Sequence, residues 1–348
     1  MAEEMKIEII SRETLKPSSP TPNHLKHYKL SLLDQLVRLN VYTTKIFFNP
    51  NNHNFPTSQA LLVLNRLKES LSKALTRFYP LAGRFKGNAF IDCRDDGAPF
   101  IEARSHGFLS MFLRNLDNEK LPEPFLPPKS DLSKRLSPPQ LHVQAAFFAC
   151  GGLAVGLYMS HKFGDGGTFS RFVKDWTFLS RGGHSQTLLP ALDFTASSSF
   201  PPSVSAVQPP TDEAKRFAVS GDKCITKRFV FDEAKIAALK VKATVSTGQW
   251  RGQPTRAEAI TALIWRCATS AARRTNKGFP LHFVKHQLVN IRKRIELPFS
   301  ENTIGNFVQY FSVEIDNQET KTMELQDLVA LLRKGIEGFD EGEAKRLG

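Results

Sequence analysis

The apolar and polar positions along the chain predict helices separated by short strands. Between residues 58 and 80, leucines recur three or four positions apart, at Leu61, Leu64, Leu67, Leu71 and Leu75. This is the spacing of one helix face. Thr57 or Ser58 can cap this helix, and Pro80 can stop it. Similar reasoning predicts further helices at 167–183, 232–243, 255–275 and 323–339.

Strands are predicted where apolar runs are short and bounded by turn residues. Residues 81–105 carry several short strands around an Asp-Asp-Gly turn at 95–97. Residues 141–167 carry two buried strands, with the Gly151–Gly152 pair at the turn between them. Further strands are predicted at 227–231, 281–294 and 309–315.

The length and the distribution of proline predict two domains. A chain of 348 residues is too long for one ordinary core. Residues 199–216 are rich in Pro and Ser, which is typical of a linker or crossover. We therefore expect an α/β protein with one domain at 1–195, a crossover at 196–216 and a second domain at 217–348.

Charge and cysteine content narrow the function classes. The net charge is +13, but the Lys and Arg are scattered, and no pattern of a nucleic-acid-binding module is present. Four cysteines lie far apart, without a Cys-x-x-Cys pair, so no zinc cage or redox dithiol is indicated. His282 and His286 fall on a predicted strand and do not make a helical metal site. The acidic start lacks a signal peptide's apolar segment, and no apolar run is long enough for a membrane span, so we expect a cytoplasmic protein.

The stretch SHKFGDGGTF, residues 160–169, is the strongest candidate for chemistry. An apolar strand ends just before His161, and Gly164, Gly166 and Gly167 let the chain turn sharply into a helix. Sites tend to form at such strand ends in α/β folds. Two interpretations remain open from the residues alone: His161 is a catalytic base, or its ring is only held by hydrogen bonds at a turn.

Direct group transfer is the simplest chemistry that these residues support. A neutral imidazole can take a proton from a hydroxyl near neutral pH. The Gly-x-Ser-x-Gly turn of serine hydrolases is absent, so an acyl-serine intermediate is not indicated. An acceptor hydroxyl activated by His161 could attack an activated acyl donor directly.

Several segments together resemble the plant BAHD family of acyl-CoA-dependent acyltransferases. The matching segments, in chain order, are RFYPLAGRF (77–85), HKFGDGGTFSRFVKDW (161–176), LDFTASSSFPP (192–202), PTRAEAITALIWRC (254–267) and LVNIRKRIELPFSENTIGNF (288–307). The second of them is similar to the family's His-x-x-x-Asp-Gly motif. The opening of the chain looks closest to the branch of alkaloid and alcohol acetyltransferases that includes vinorine synthase.

This resemblance implies a two-domain fold of the chloramphenicol acetyltransferase type, with mixed sheets, flanking helices and a tunnel between the domains. His161 would be the general base, and Asp165 would hold the loop through an ion pair with Arg292. Acyl-CoA, here acetyl-CoA, would be a cosubstrate beside a small-molecule acceptor, with no permanently bound cofactor. The candidates for CoA contact are Arg256, Asn290, Arg292 and Asn306. The family also implies a monomer.

The chain departs from the family pattern in its second domain, which would be incomplete. The Asp-Phe-Gly-Trp-Gly motif is absent, and the sequence ends at Gly348 after a helix that normally precedes it. Three explanations are an incomplete gene model or premature stop, which we favour, a shortened working enzyme, or an inactive copy that binds CoA or a ligand without turnover. Peptide-synthetase condensation domains carry a related motif with a second histidine, but residue 160 is Ser here.

Overall fold

A computed structural model describes ten stretches of the chain. They are residues 6–50, 59–114, 123–133, 137–183, 189–203, 227–246, 248–275, 282–295, 299–316 and 323–342. The chain divides into two compact units. The first unit is Met1–Arg228 with Ser300–Phe307, and the second is Phe229–Phe299 with Val308–Gly348. The short segment 300–307 therefore joins the first unit although it lies far along the chain.

The described elements alternate as the pattern predicts. The strands are β1 (Ile7–Leu15), β2 (His27–Lys29), β3 (Tyr42–Asn49), β4 (Arg84–Lys86), β5 (Phe90–Asp92), β6 (Ala98–Ser105), β7 (Leu141–Phe148), β8 (Leu153–Ser160), β9 (His282–Asn290) and β10 (Val308–Asp316). The α-helices are α1 (Leu32–Gln35), α2 (Ala60–Arg77), α3 (Leu109–Arg114), α4 (Ser130–Ser133), α5 (Gly166–Ser180), α6 (Ala196–Ser199), α7 (Glu233–Lys242), α8 (Arg256–Thr275) and α9 (Leu325–Glu341).

The first unit is built on a five-stranded mixed sheet in the order β1-β6-β7-β8-β3. Only the β6–β7 pair is parallel, and the other neighbours are antiparallel. Every residue of β8 is buried, so this strand lies in the centre of the unit. A second, three-stranded sheet has the order β2-β5-β4.

Helices cover the central sheet because their apolar faces require burial. Helices α2 and α5 pack against each other and contribute Leu71, Leu75, Phe172 and Trp176 to the main core. The Trp176 indole N–H donates to the Ser70 hydroxyl at 3.0 Å, which satisfies its polar group inside that core. A smaller aromatic cluster contains Phe112, Phe125 and Phe148.

In its described residues, the second unit combines an antiparallel pair of strands with three helices. Strands β9 and β10 pair along their whole length, from Asn290 opposite Val308 to His282 opposite Asp316. Helix α9 packs on β10 and on α8. A Cβ at Gly335 would lie 2.7 Å from the side chains of Phe311 and Val313, so this close packing requires glycine.

Most of the predicted elements are confirmed, and two expectations are wrong. Residues 227–231 form no strand, and Phe229 within them is 73% exposed. Leu61 is 66% exposed, so the buried face of α2 begins only at Leu64. Thr57, Ser58 and residues 204–216 of the predicted linker lie outside the described residues, and the linear domain boundaries stay a prediction. No helix in the described stretches is long and apolar enough to cross a bilayer.

Candidate active site

His161 lies at the carboxyl end of β8, as the sequence predicts. Its backbone N–H donates to the carbonyl oxygen of Val41 at 2.8 Å, which ties it to the start of β3. The chain then turns so tightly that a Cβ on Gly164 would lie 2.5 Å from the Thr168 side chain. The His161 side chain is half-buried, so it keeps some contact with solvent in the first unit.

Asp165 begins helix α5 and anchors the segment 300–307. One carboxylate oxygen accepts from the Thr168 backbone N–H at 2.9 Å, which is a helix N-cap. The other accepts from the Phe307 backbone N–H at 3.0 Å. The Thr168 hydroxyl also donates to the Gly305 carbonyl at 3.1 Å. Asp165 therefore joins two stretches of backbone, which supports a structural role. Its ion pair with Arg292, a residue of the second unit, stays a prediction.

Asn306 contacts the imidazole of His161 directly. Its Oδ1 lies 3.0 Å from His161 Nδ1, and its Nδ2 donates to the His161 carbonyl at 2.8 Å. The same Nδ2 donates to Asp34 Oδ1 at 2.9 Å. The sequence resemblance assigned Asn306 to CoA, and that assignment stays a prediction. The structure places this side chain beside the candidate base.

Asp34 is a site residue that the sequence reasoning missed. It is fully buried on the short helix α1. Its Oδ1 accepts from both the backbone N–H and the side-chain amide of Asn306. Its Oδ2 accepts from the backbone N–H and the hydroxyl of Ser31. Burial raises the pKa of Asp34 above its usual value, and the hydrogen bonds from Ser31 and Asn306 oppose that rise.

A readable signal for Asp34 was present in the sequence. Ser31-Leu-Leu-Asp34 is a capping box, in which the Ser31 hydroxyl accepts from the Asp34 N–H and the Asp34 carboxylate accepts from the Ser31 N–H. The pattern predicts the start of a helix at this point of the chain. The pattern does not predict that the other carboxylate oxygen, Asp34 Oδ1, accepts hydrogen bonds from Asn306, far away in the sequence.

Lys162, next to the candidate base, is a second buried group that the sequence reasoning missed. Its ammonium donates to the backbone carbonyls of Asp34, Gln35 and Val37, at 3.3, 3.3 and 3.0 Å. Burial lowers the pKa of Lys162 to about 8, and the negative charge of Asp34 opposes that fall. The lysine thus holds the end of α1, where carbonyl groups lack helical partners.

Segment 300–307 is fixed in the first unit by a separate set of contacts. The Asp193 carboxylate accepts from the Thr303 hydroxyl at 2.6 Å, and the Ile304 N–H donates to the Asp193 carbonyl at 2.8 Å. Arg171 of α5 donates to the Asn302 side chain at 3.0 Å. Ile304 is buried in the main core. These contacts hold Asn306 in place beside His161.

The other candidates for CoA contact belong to the second unit. Arg256 is exposed at the first residue of α8. Asn290 ends β9, and its Oδ1 accepts from the backbone N–H of Arg292 at 3.1 Å and from its guanidinium at 3.3 Å. Arg292 itself is buried. The assignment of these three residues to CoA stays a prediction.

Within the described residues, no group of three or more His, Cys, Asp or Glu side chains could hold a metal ion. His282 lies 3.2 Å from a Glu314 carboxylate oxygen, and His286 lies 2.8 Å from the Ser312 hydroxyl. Both histidines thus contact the neighbouring strand β10.

A strand-end histidine followed by an N-capped helix, on a mixed sheet, fits a transferase in which one histidine acts on an acceptor. Comparison with known proteins agrees: the sequence profile described as the Transferase family matches residues 5–346. Akuammiline synthase 2 from Alstonia scholaris is 36% identical over 99% of this chain and 75% of its own length. BAHD acyltransferase BIA1 from Arabidopsis thaliana is 37% identical over 97% of this chain and 74% of its own.

Stemmadenine O-acetyltransferase from Catharanthus roseus is 34% identical over 98% of this chain and 78% of its own. The crystal structure of vinorine synthase matches with a TM-score of 0.78 and 32% identity, over 95% of this chain and 76% of that one. TRI101 from F. graminearum, solved with coenzyme A and T-2 mycotoxin, shares the fold with a TM-score of 0.70 and 17% identity, over 92% of this chain and 78% of that one. The chain belongs to the BAHD family of acyl-CoA-dependent acyltransferases. The predicted fold class is thereby confirmed.

Proposed function

We propose that this chain transfers an acyl group, acetyl in the first instance, from acyl-CoA to a hydroxyl of a plant specialised metabolite, with His161 as the general base. The observation that carries this proposal is the placement of His161. Its imidazole stands at the end of a central strand, held from behind by Asn306 and still half-exposed on the unit that carries it. Relatives named as O-acetyltransferases support the reaction class.

The proton and electron balance of the reaction needs only one base. The imidazole takes the proton of the acceptor hydroxyl while its oxygen attacks the thioester carbonyl carbon. The carbon–sulfur bond then breaks, and the imidazolium returns the proton to the CoA thiolate. The products are the ester and free CoA, and His161 ends in its starting state. Asp165 contributes by holding the turn and the segment 300–307 rather than by touching the substrate.

The same proposal includes the cosubstrate, the oligomeric state and the location of the protein. TRI101, which shares the fold, was solved with coenzyme A, and the positive net charge of +13 favours a polyphosphate ligand. We place the CoA contacts at Arg256, Asn290, Arg292 and Asn306. We also propose that the chain is a monomer, as the family resemblance implies. We propose a cytoplasmic location because Cys267 is an exposed free thiol, which suits a reducing compartment. Light scattering tests the monomer.

The test compares His161→Ala with His282→Ala, which removes an exposed histidine of the second unit. Each protein is incubated with acetyl-CoA and a panel of alcohols that includes stemmadenine, and both free CoA and the ester are measured. We expect His161→Ala to lower kcat by about 10²- to 10⁴-fold, with His282→Ala unchanged. The thermal shift produced by acetyl-CoA should remain in both variants.

Two results would overturn this function. Full turnover in His161→Ala would remove the histidine from the mechanism. A wild-type chain that is stabilised by acetyl-CoA, yet releases no CoA with any acceptor, would instead support the alternative of a paralogue that binds without turnover. Thermal unfolding with and without acetyl-CoA is therefore the first measurement, because it needs no acceptor.

A further inference from the structure

The orientation of the Asn306 amide is determined by its neighbours. Two oxygens lie at one end of this amide: the His161 carbonyl at 2.8 Å and Asp34 Oδ1 at 2.9 Å. A backbone carbonyl can only accept a hydrogen bond, so the NH₂ group must face this side. The amide oxygen therefore faces His161 Nδ1, at 3.0 Å. A flipped amide would place its oxygen against two other oxygens.

This orientation decides which nitrogen of His161 carries the proton. An amide oxygen cannot donate a hydrogen bond, so a neutral imidazole must donate from Nδ1 to make this contact. The lone pair then lies on Nε2. Free histidine prefers the opposite tautomer, with the proton on Nε2. The protein thus opposes an intrinsic preference, and the opposing group must be held firmly.

Asp34 supplies that hold. Its Oδ1 accepts from the backbone N–H of Asn306 at 2.8 Å as well as from the amide, so both ends of the asparagine are fixed by one oxygen. Its Oδ2 is held by Ser31, at 2.9 Å from the backbone N–H and 2.7 Å from the hydroxyl. Four donors surround one buried carboxylate, and Lys162 fixes the helix that carries it.

We propose that Asp34 is a positioning residue for acyl transfer: acting through Asn306, it keeps His161 in the Nδ1–H tautomer, so that Nε2 takes the proton of the acceptor hydroxyl. This inference rests on the proposed function for its catalytic meaning. The tautomer of His161 can be measured whether or not the chain turns over substrate. Asp34 can have this role only in the folded chain, because Asp34 and Asn306 are 272 positions apart in the sequence and meet through tertiary structure.

The direct test is ¹⁵N NMR of the full chain with labelled imidazoles, at about pH 8, where an ordinary histidine is neutral. The His161 signals are assigned by comparison with His161→Gln. Wild type should show a protonated Nδ1 and an unprotonated Nε2. Asp34→Ala and Asn306→Ala should both shift His161 towards the Nε2–H tautomer, with kcat lowered at least about tenfold. In Asp34→Ala the KM for acyl-CoA should stay within about twofold.

Two matched controls separate positioning from stability. In Asp34→Asn the amide oxygen can still accept from Asn306. Its NH₂ faces the Ser31 hydroxyl, which can turn to accept, and the Ser31 backbone N–H, which loses its acceptor. Ser31→Ala removes the cap of α1 but leaves the contact between Asp34 and Asn306 intact. Both variants should lower the melting temperature and still keep the Nδ1–H tautomer. If Asp34→Ala does not fold, Asp34→Leu, which is similar in size and accepts no side-chain hydrogen bond, replaces it.

Each outcome bears on the proposal. An unchanged tautomer in Asn306→Ala, or in a folded Asp34→Ala, would overturn it. So would loss of the tautomer in both controls, because His161 would then follow general stability. A wild-type chain with the expected tautomer but no turnover would contradict the proposed function and leave the positioning role supported.

Discussion

Two buried carboxylates of the first unit are held in different ways. Asp175 on α5 is paired with two arginines, Arg77 on α2 at 3.1 Å and Arg171 on its own helix at 2.6 Å. Asp34, in the site, is equally buried. Among the described residues, the groups that donate to its carboxylate are neutral: two backbone N–H groups, a hydroxyl and an amide.

The difference follows from what each region must do. A guanidinium compensates a buried carboxylate well and fastens two helices together, which suits the scaffold. A guanidinium next to His161 would instead disfavour the imidazolium of the proposed proton transfer. Neutral donors can hold the Asp34 carboxylate and orient Asn306, while the nearby Lys162 ammonium is bound by backbone carbonyls. We therefore expect changes around Asp175 to affect stability, and changes around Asp34 to affect catalysis as well.

The largest expected effect is a loss of stability when the Asp175 carboxylate is removed. Asp175→Ala leaves the side chains of Arg77 and Arg171 without their shared partner, both less than a fifth exposed. Removing one member of a buried pair costs about 3–5 kcal/mol. We expect a loss of this size in the free energy of unfolding measured in urea, with kcat per folded molecule unchanged.

Asp131→Ala is the matched control, because its ion pair with Arg12 is exposed. Such pairs contribute less than about 1 kcal/mol. A similar loss in both aspartate variants would mean that the pairing at Asp175 has no special weight. A fall in kcat in folded Asp175→Ala would break the division between scaffold and site.

An intermediate effect is expected at Asp165. Replacing it with Ala removes a helix cap worth about 1 kcal/mol. It also leaves the buried Phe307 N–H without this acceptor, which costs about 1–3 kcal/mol. Asp165→Ala should therefore melt at a lower temperature than His161→Ala, as differential scanning calorimetry would show. Equal melting temperatures would contradict the anchoring role of Asp165.

The remaining expected effect is a pH dependence of stability that arises from Lys162. Because its folded-state pKa is lowered to about 8 from 10.5, the unfolded chain binds more protons between these values. Stability therefore rises with pH through this window, and the contribution is lost as the pH falls through about 8. Relative to Lys162→Met, the wild-type chain should gain stability between about pH 8 and 10 in urea unfolding. A constant difference across that range would show that Lys162 titrates normally.

Local sequence patterns were sufficient to predict those elements that are formed by residues close together in the chain. The strand that ends just before His161 and the turn through Gly164 into α5 are encoded within residues 153–167, and the structure has them as predicted. The N-cap that Asp165 provides for α5 was not predicted. Thr255 and Glu258 form a capping box at the start of α8, where the sequence predicts a helix. The prediction failed at residues 227–231, where an apolar run alone was read as a strand without a partner to pair with.

The sequence by itself determined the family, the position of the candidate base and the order of most elements, because motifs and periodicity act over short separations. Only the tertiary structure determined which residues contact and orient the imidazole of His161. Segment 300–307 returns to the first unit and brings Asn306 against the imidazole, while Asp34 arrives from the other end of the chain. Contacts across such separations arise from the packing of the whole unit, which no local pattern records.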